Sequence, residues 1–401
     1  MISEVRQTFN DNFTESAYQK ALDLIDKKYP GDLVFKIAET PVFLPEELVK
    51  ELQDASKIII AQLQDAIASG KMNAAIPKHH FVPGDEGICE MFSLDFGICE
   101  EEDGNIVPRL IELQGFPTMF YFQEIEAFAY HEAYAIDDSW TNFFSGYDVA
   151  QYETLLRKLI LHGLQPEEVI LLELQPAAQK TRIDFTITAE KLGIPVVCIS
   201  DVFEEDGNVF YMKNEEKQQV KRIYNRMIFD DFEAHKHELK TFLDITKPLN
   251  VEWCPHPNWF YKISKYSLPF LLNEYVPETR FLNEVKQIPT DLENYVLKPL
   301  FSFAGQGVVI DVTIESIQSI SDPENWILQK KVQYAPIVKT LDVDAVVEIR
   351  LMFFWDEASK QHILVNNLAR LSKGKMVGVR YNADKSWVGS SIAFHKEGVK
   401  L

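Results

Sequence analysis

The sequence predicts a mixed α/β protein, and three local patterns support that class. Residues 169–200 read as an apolar strand, a helix and a second strand, which is a βαβ unit and predicts a parallel sheet. Two apolar runs flank Asp103-Gly104, a dipeptide that favours the tight turn of an antiparallel hairpin. A second pair of strands flanks a glycine-containing loop at 302–307. Parallel and antiparallel elements in one chain indicate more than one lobe.

The composition favours an enzyme-sized protein without a nucleic-acid or membrane partner. The chain has 401 residues, of which 46% are hydrophobic and 12% aromatic, so we expect two or three lobes with buried cores. No segment has the apolar length of a membrane span. A net charge of −21 repels phosphate backbones and anionic lipids. The first residues are polar and lack the apolar run of a secretory signal, so we expect a cytoplasmic location.

Neither the cysteines nor the histidines have the spacing of a metal site. The cysteines include no C-x-x-C pair, which argues against a zinc ribbon and for reduced, buried thiols. His79-His80 and the pair of His235 and His237 lack further ligands at a suitable spacing, so we interpret them as structural or surface residues. The cysteines are Cys89, Cys99, Cys198 and Cys254.

Changes in the pattern of predicted helices and strands near residues 145 and 245 divide the chain into three predicted domains. Residues 1–145 combine helices at 16–27, 45–67 and 123–131 with the first hairpin. Residues 146–245 contain the βαβ unit and form a lobe of the size of a small Rossmann-like domain. That lobe lacks the G-x-G-x-x-G fingerprint, so we do not expect it to carry the main nucleotide site. Residues 246–401 begin with a predicted helix at 260–273 and continue as strands.

The hairpin of the first domain contains the first candidate site. Counting back from its turn pairs Asp95 with Glu112. The same register pairs Ser93 with Gln114, and all four side chains then share one face. Opposed carboxylates destabilise a sheet unless something compensates them, and Mg²⁺ compensates them while also favouring substrate phosphates. Two alternatives stay open: a solvated acidic face, and a bulge at Pro108 that turns Glu112 away.

The second candidate site is a lysine next to a glycine loop. Lys298 ends an apolar strand, and the loop that follows contains Gly305 and Gly307. The ammonium group is suited to bind one phosphate, and the backbone N–H groups of the loop are suited to bind the other phosphates. The order of strand, lysine, loop and strand differs from a Walker P-loop and predicts a hairpin lid. An ordinary hairpin with a lysine that reaches solvent is the alternative.

Three further residues are candidates on weaker patterns. Gln329 lies in a strand at 326–332 whose backbone suits an adenine edge. Lys265 lies on the predicted helix at 260–273, either as a surface charge or as a second phosphate ligand. Arg380 stands inside an otherwise apolar strand, where a guanidinium usually has an anionic partner or takes part in an internal ion pair.

In their shared order, these motifs resemble the glutathionylspermidine synthetase family, and the resemblance extends from about residue 80 to 395. It implies a circularly permuted ATP-grasp fold with an inserted Rossmann-like lobe. The matching stretches are Ser93-Leu-Asp95-Phe96, Asp103-Gly104, Ile111-Glu-Leu-Gln114-Gly-Phe-Pro-Thr118, Lys265, the hairpin at 298–308, Gln329, Arg380 and Phe394-His395.

The resemblance also implies a function, namely an ATP- and magnesium-dependent ligase that joins a small-molecule carboxylate to an amine through an acyl phosphate. The implied magnesium ligands are Asp95, Glu112 and Gln114. The implied nucleotide-binding residues are Lys265, Lys298, Ser302, Gly305, Gln306, Gly307 and Gln329, and the implied catalytic residues are Lys298 and Arg380.

Two departures from the family pattern support other hypotheses. Ser93 stands where the family has Arg, and Gln114 stands where it has Asn. A first alternative is therefore a non-catalytic nucleotide-binding or scaffold protein with the same fold. A second alternative is a ligase that keeps the unpermuted order and uses Glu348 and Asn366 as metal ligands, on a predicted hairpin around 356–359.

Overall fold

The structure is a computed structural model, and it describes residues 1–302, 305–374, 377, 382 and 384–396. Within those ranges, no helix combines the length and apolar character needed to cross a membrane. The helices are α1 (Ser3–Asn12), α2 (Glu15–Lys28), α3 (Glu46–Ala68), α4 (Phe122–Tyr134), α5 (Val149–Leu161), α6 (Arg182–Leu192), α7 (Phe229–His235), α8 (Trp259–Lys262) and α9 (Ile314–Gln318). The first-half strands are β1 (Val42–Phe43), β2 (Met91–Glu100), β3 (Ile106–Gln114), β4 (Trp140–Thr141), β5 (Val169–Glu173), β6 (Val196–Cys198), β7 (Val202–Glu205) and β8 (Asn208–Lys213). The later strands are β9 (Glu216–Val220), β10 (Arg222–Asn225), β11 (Glu252–Cys254), β12 (Thr279–Phe281), β13 (Tyr295–Pro299), β14 (Trp326–Lys330), β15 (Val346–Asp356), β16 (Gln361–Ser372), β17 (Gly389–Ser391) and β18 (Ala393–Lys396).

The central sheet is antiparallel and draws its strands from both ends of the chain. Its order is β17-β16-β15-β2-β3, so the early hairpin β2-β3 pairs with the late hairpin β15-β16. The apolar residues of α3 recur at helical spacing and pack on one face of this sheet, which leaves the other face to the polar residues described below. The packed residues of α3 include Leu48, Leu52, Ala55, Ile59 and Leu63.

A parallel sheet of order β11-β10-β5-β6 forms the core of a second lobe. The helix α6 connects β5 to β6, which confirms the predicted βαβ unit. The preceding helix, α5, begins at a capping box in which Asp148 and Gln151 each accept a hydrogen bond from the other's backbone N–H. Since β11 belongs to this sheet, the lobe continues past residue 245, where the sequence predicted a boundary.

A small antiparallel sheet of order β12-β14-β13 carries the predicted lysine and glycine loop. Lys298 pairs with Ile327, so Lys298 and Gln329 share one face of this sheet. After the loop, the chain returns through a single bridge between Leu297 and Val309. The described residues thus confirm the strand before the glycine loop, whereas directly after the loop they form this one bridge and no regular strand.

The helix predicted at 260–273 is wrong in its length, because α8 ends at Lys262 and a 3₁₀ segment covers Lys265–Phe270. Ser264 is extended, with a φ of −155°, and its Oγ accepts a hydrogen bond from Tyr266 N, so it begins a new segment. Pro269 lacks the N–H that a continuing helix requires. Lys265 therefore stands in the first turn of a short segment rather than on a long helix.

A buried carboxyl group on α4 makes stability depend on pH. Glu126 has no solvent exposure, and its Oε2 accepts a hydrogen bond of 3.0 Å from Ser390 Oγ. Burial raises the pKa of Glu126 from 4.5 to about 8, although the bond from Ser390 acts in the opposite direction. The folded state holds this proton more tightly than the unfolded state. The contribution of Glu126 to stability is therefore complete below pH 4.5 and is lost as the pH rises through about 8.

We predict that Glu126→Gln reduces the loss of stability between pH 4.5 and 8, because glutamine still accepts a hydrogen bond and does not ionise. The difference between variant and wild type should grow with pH, up to on the order of 5 kcal/mol. Unfolding free energies from urea titrations at several pH values measure it. Glu132→Gln, on the exposed side of the same helix, is the control. Parallel pH profiles for wild type and Glu126→Gln would contradict the assignment.

Candidate functional site

The β2-β3 hairpin reaches its predicted register through a β-bulge. The pairs Asp95–Glu112 and Ser93–Gln114 are both present, which confirms the prediction. Nearer the turn, however, the pairing is offset by one residue, because the connection is longer than the two residues assumed. Ile111 has no partner on β2, and this extra residue restores the register. The bulge therefore places Glu112 opposite Asp95.

Glu112 lies among cations. Its side chain is 23% exposed, and its carboxylate oxygens lie 3.7 Å from Lys265 Nζ and 4.0 Å from Arg350 Nη2. Burial raises the pKa of Glu112, but the surrounding cations outweigh burial and bring the pKa down to about 2. In the described part of the chain, these cations are Lys265, Arg370, Arg350 and Lys298.

We use the name charged cluster for these groups together with the neighbouring carboxylates. With its members ionised, four cations face three carboxylates, and the surplus of one positive charge favours an anionic ligand. The charged cluster comprises Asp95, Glu112, Glu348, Lys265, Lys298, Arg350 and Arg370.

Asp95 is fully buried, and both of its oxygens accept hydrogen bonds from guanidinium groups. Arg350, its partner on β15, donates from Nε to Oδ1 and from Nη2 to Oδ2, both at 2.6 Å. Arg370 on β16 donates from Nη2 to the same Oδ2 at 2.5 Å. Such bidentate pairs are strong and directional. Asp95 therefore joins three strands of the central sheet.

Arg370 links Asp95 to Glu348. Its Nη2 lies 2.9 Å from Glu348 Oε2, and Glu348 also accepts a hydrogen bond from the Tyr334 hydroxyl. Burial disfavours the charge on Arg370, but Asp95, Glu348 and Glu112 raise its pKa above the ordinary value. The side chain of Arg370 is 28% exposed, so part of it is accessible to solvent.

Lys298 reaches the charged cluster from the small sheet. Its Nζ donates a 3.3 Å hydrogen bond to the carbonyl of Ile111, the bulge residue. Burial lowers the pKa of Lys298 to about 8, although Glu112 acts in the opposite direction. The acidic pair and the lysine of the glycine-loop hairpin therefore meet in space, despite their distance in the sequence.

Lys265 comes to the same place because β3 ends directly against α8. A Cβ on Gly115 would overlap the carbonyl oxygen of Trp259 and approach Ile263, so the residue after Gln114 has room for glycine alone. Gly115 N also donates to Ile263 O at 2.8 Å. Lys265 follows Ile263 by two residues, and its Nζ donates a 2.7 Å hydrogen bond to the carbonyl of Ser302. This bond holds the start of the glycine loop over the cleft.

Several polar atoms around the cleft are buried without a hydrogen-bond partner in the described residues. They are Ser93 Oγ, Gln114 Oε1, Ser302 Oγ and Arg370 Nε. Leaving such an atom unsatisfied costs about 1–3 kcal/mol, so each favours a ligand that would satisfy it. Gln114 and Ser302 also line a cavity of about 30 Å³ together with Glu112 and Lys265. In this closed state, the cavity has room for about one water molecule.

The residues predicted to hold magnesium fit that ion unequally. Gln114 donates from Nε2 to Glu112 at 2.9 Å, which leaves its carbonyl oxygen free, and Glu112 is an ionised carboxylate at the edge of the cavity. These two fit as oxygen ligands. Asp95 does not fit in this arrangement, because both of its oxygens already accept from arginine. The described residues contain no group of three or more His, Cys, Asp or Glu side chains that could hold a metal ion.

The glycine loop has the backbone that its sequence suggests. Gly305 and Gly307 both have positive φ values, +72° and +75°, and Gln306 between them is exposed. Gln329 is buried on β14, where its Nε2 donates to Thr279 Oγ1 at 2.9 Å. Arg380 lies outside the described residues. Nucleotide binding and catalysis by these residues stay predictions.

The alternative metal pair does not form one site. Glu348 belongs to the charged cluster, whereas the oxygen of Asn366 accepts hydrogen bonds from Asn142 Nδ2 at 2.7 Å and from Asn367 N at 2.8 Å. The Asn367 amide in turn exchanges hydrogen bonds with the backbone of Ala393. Asn366 therefore holds strands together and has no free oxygen for a metal ion.

Reasoning from sequence missed Arg350 and Arg370, which organise the site. Arg350 stands between Ile349 and Leu351 on β15, and Arg370 stands between Ala369 and Leu371 on β16, which is the local signal that singled out Arg380. The same reasoning also missed Thr118, whose Oγ1 accepts a hydrogen bond from Arg350 Nη1 at 2.8 Å. The Thr118 carbonyl accepts from Arg226 of the parallel lobe at 2.8 Å, so the site is connected to that lobe.

Comparison with known proteins identifies the class of fold. No family model matches the chain, and no curated protein matches it. Among solved structures, a glutathione synthetase-like effector from Globodera pallida, in its apo form, is similar with a TM-score of 0.59 and 12% identity. The similarity covers 95% of this chain and 97% of that one. At this identity the likeness concerns the fold alone, and the chain has a glutathione synthetase-like fold.

We predict that Lys265→Met loosens the start of the glycine loop, because it removes the hydrogen bond to the Ser302 carbonyl. A charge-assisted bond contributes about 1.5–3 kcal/mol, so the backbone amides at 300–302 should exchange with solvent at least about tenfold faster. Hydrogen exchange followed by mass spectrometry measures this. Lys330→Met is the control, since Lys330 is an exposed lysine on the adjoining strand. Equal exchange in both variants would show that Lys265 does not hold the loop.

Proposed function

We propose that this chain is an ATP-dependent ligase that joins a small-molecule carboxylate to an amine. The observation that carries the proposal is the convergence of Glu112, Lys265 and Lys298, which come from separate parts of the sequence, on one net positive, partly closed cleft. Two lysines, one of which donates a hydrogen bond to Ser302 at the start of the glycine loop, suit the phosphates of a nucleotide. The glutathione synthetase-like fold is consistent with this chemistry.

The proposed fold is a circularly permuted ATP-grasp fold with the parallel lobe inserted. Supporting this, β2 and β3 contribute the acidic residues before the parallel lobe, and β13 contributes Lys298 after it. In the central sheet, β15 pairs with β2 and β16 pairs with β15, so the late strands extend the sheet that the early hairpin begins. The order of the chain is thus compatible with one composite cleft.

Each residue has a proposed role in binding. Lys265 and Lys298 bind phosphates, the loop from Ser302 to Gly307 covers them, and Gln329 lies towards the adenine. Glu112 and Gln114 would hold magnesium, whose positive charge offsets the negative charge of the phosphates. For Arg380 we propose stabilisation of charge on the transferring phosphoryl group.

The proposed chemistry has two steps and requires no protein nucleophile. A carboxylate oxygen of the first substrate attacks the γ-phosphorus of ATP, and ADP leaves with the electrons of the broken P–O bond. The amine nitrogen then attacks the acyl carbon, phosphate leaves, and the nitrogen loses a proton to give the amide. Lysine and arginine side chains stabilise the charge that moves between these oxygens.

Binding requires the cleft to open. Sites for small molecules and cofactors have volumes of about 300–1,000 Å³, whereas the cavity beside Glu112 has about 30 Å³. In the proposed complex, a phosphate would replace the Ser302 carbonyl as the acceptor for Lys265 Nζ.

One observation favours a second candidate, a protein that binds nucleotide without turnover. Asp95, which the family resemblance assigns to magnesium, is occupied by arginines. A site that holds fewer metal ligands could bind the phosphates and still transfer none of them.

The test is nucleotide binding and ADP release by the purified full-length chain. We predict that wild type binds ATP and releases ADP with one pair from a panel of carboxylates and amines. Lys298→Met should weaken binding about 10- to 100-fold, the loss expected for one or two charge-assisted hydrogen bonds. Lys330→Met, on the neighbouring strand and exposed, should bind as wild type does.

The outcomes separate the candidates. Binding with ADP release supports the ligase, and binding without release for every pair supports the non-catalytic protein. If wild type binds neither ATP nor ADP, both candidates fail. If Lys298→Met binds as tightly as Lys330→Met, the nucleotide lies elsewhere and the assignment of this cleft is wrong.

A further inference from the structure

The place of Asp95 in the sheet suggests a role other than metal binding. Its carboxylate is fully buried opposite Arg350, and its two oxygens accept hydrogen bonds from Arg350 and Arg370. A magnesium ion keeps close to octahedral geometry at about 2.0–2.1 Å and retains several waters. To bind one, Asp95 would have to release a guanidinium and admit water to a site without solvent access.

Electrostatics act against such an ion as well. The repulsion between two cations grows as their separation falls, and a divalent ion is repelled twice as strongly as a monovalent one. A magnesium ion on Asp95 would lie next to both guanidinium groups, which donate hydrogen bonds to its oxygens at 2.5–2.6 Å, whereas Lys265 and Arg350 lie 3.7 and 4.0 Å from the Glu112 carboxylate. The environment of Asp95 therefore suits cations that are already present in the chain.

Arg370 is the arginine with unused donors. Its Nη2 is held by Asp95 and Glu348, while its Nε is buried and has no hydrogen-bond partner among the described residues. Its side chain is partly exposed, and its positive charge lowers the pKa of Glu112, which lies at the edge of the cavity. Arg350, in contrast, uses its remaining Nη1 on Thr118. Of the two, Arg370 is thus the one with donors left for a ligand.

We propose that Asp95 is a positioning residue and not a magnesium ligand: together with Glu348 it holds Arg370, which presents its free N–H edge to the terminal phosphoryl group of the nucleotide. The inference rests on the proposed function and adds to it a phosphoryl-binding residue on β16. Arg370 then contacts an oxygen that ATP has and ADP lacks.

The experiment compares two nucleotide probes and one metal probe. Calorimetry gives the affinity for ADP and for the β,γ-imido analogue of ATP, which has the terminal phosphoryl group but does not transfer it. Electron paramagnetic resonance gives the affinity for Mn²⁺, which replaces Mg²⁺ as the probe, in the presence of ADP. The variants are Arg370→Met, Asp95→Asn and Glu112→Gln, with Arg280→Met as the control at an exposed arginine.

Arg370→Met should lower the affinity for the imido analogue about 10- to 100-fold, as expected for one lost charge-assisted contact. The affinity for ADP should stay within about twofold of the wild-type value. Asp95→Asn should reproduce that pattern in milder form, with an unchanged Mn²⁺ affinity. Glu112→Gln should lower the Mn²⁺ affinity. The double variant of Asp95 and Arg370 should be no weaker towards the analogue than Arg370→Met alone, because Asp95 acts through Arg370.

Asp95→Asn removes the anionic partner of a buried ion pair, a change that strongly destabilises the folded state. If it does not fold, Glu348→Gln replaces it, because this variant loosens Arg370 and keeps the pair of Asp95 with Arg350. Glu348→Gln should weaken the analogue and leave Mn²⁺ unchanged.

Two results would overturn the inference alone. One is a loss of Mn²⁺ affinity in Asp95→Asn as large as that in Glu112→Gln, since Asp95 would then be a metal ligand. The other is an unchanged preference for the analogue over ADP in Arg370→Met. If wild type binds neither nucleotide, the proposed function is wrong and this inference fails with it, so the two failures are distinguishable.

Discussion

The buried ion pair between Asp95 and Arg350 is the interaction on which the rest of the site depends. It joins β2, from the first quarter of the chain, to β15, from the last, and Arg370 extends it to β16. A buried pair adds little net stability compared with apolar residues, but an unpaired partner is strongly destabilising. Because a shift by one residue would move Asp95 to the opposite face of the sheet, the pair selects one register between the two hairpins.

The bulge at Ile111 is the second constraint, and it acts on both sides of the cleft. It returns β3 to the register in which Glu112 lies opposite Asp95, and its carbonyl accepts the hydrogen bond from Lys298. One backbone irregularity therefore positions the central carboxylate and anchors the lysine of another sheet. Bulges often lie beside functional sites for this reason, because they redirect a side chain without breaking the sheet.

Local patterns predicted much of the fold because most of its elements are determined locally. The amphipathic helices α2, which Thr14 caps, and α3, the βαβ unit around β5 and the hairpin at Asp103-Gly104 all carry their own signals. The failures lie where tertiary contacts decide. The helix predicted at 260–273 is interrupted at Ser264, next to the close contact of α8 with Gly115, and the extension of the parallel sheet to β11 depends on a pairing that periodicity does not show.

The candidate site was predictable only in part, since a motif shows which residues have suitable chemistry but not which neighbours they meet. The opposed pair of Asp95 and Glu112 followed from pairing, and its meeting with Lys298 followed from the family resemblance. The counterions of Asp95 could not be predicted from these motifs, because Arg350 and Arg370 are more than 250 residues away from Asp95 in the sequence. Yet two arginines within apolar strands require anionic partners, and a buried aspartate with no local cation requires cationic ones. Matching such unsatisfied charges across a predicted sheet would have paired them, and it would have shown that the buried carboxylate already has its cations within the chain.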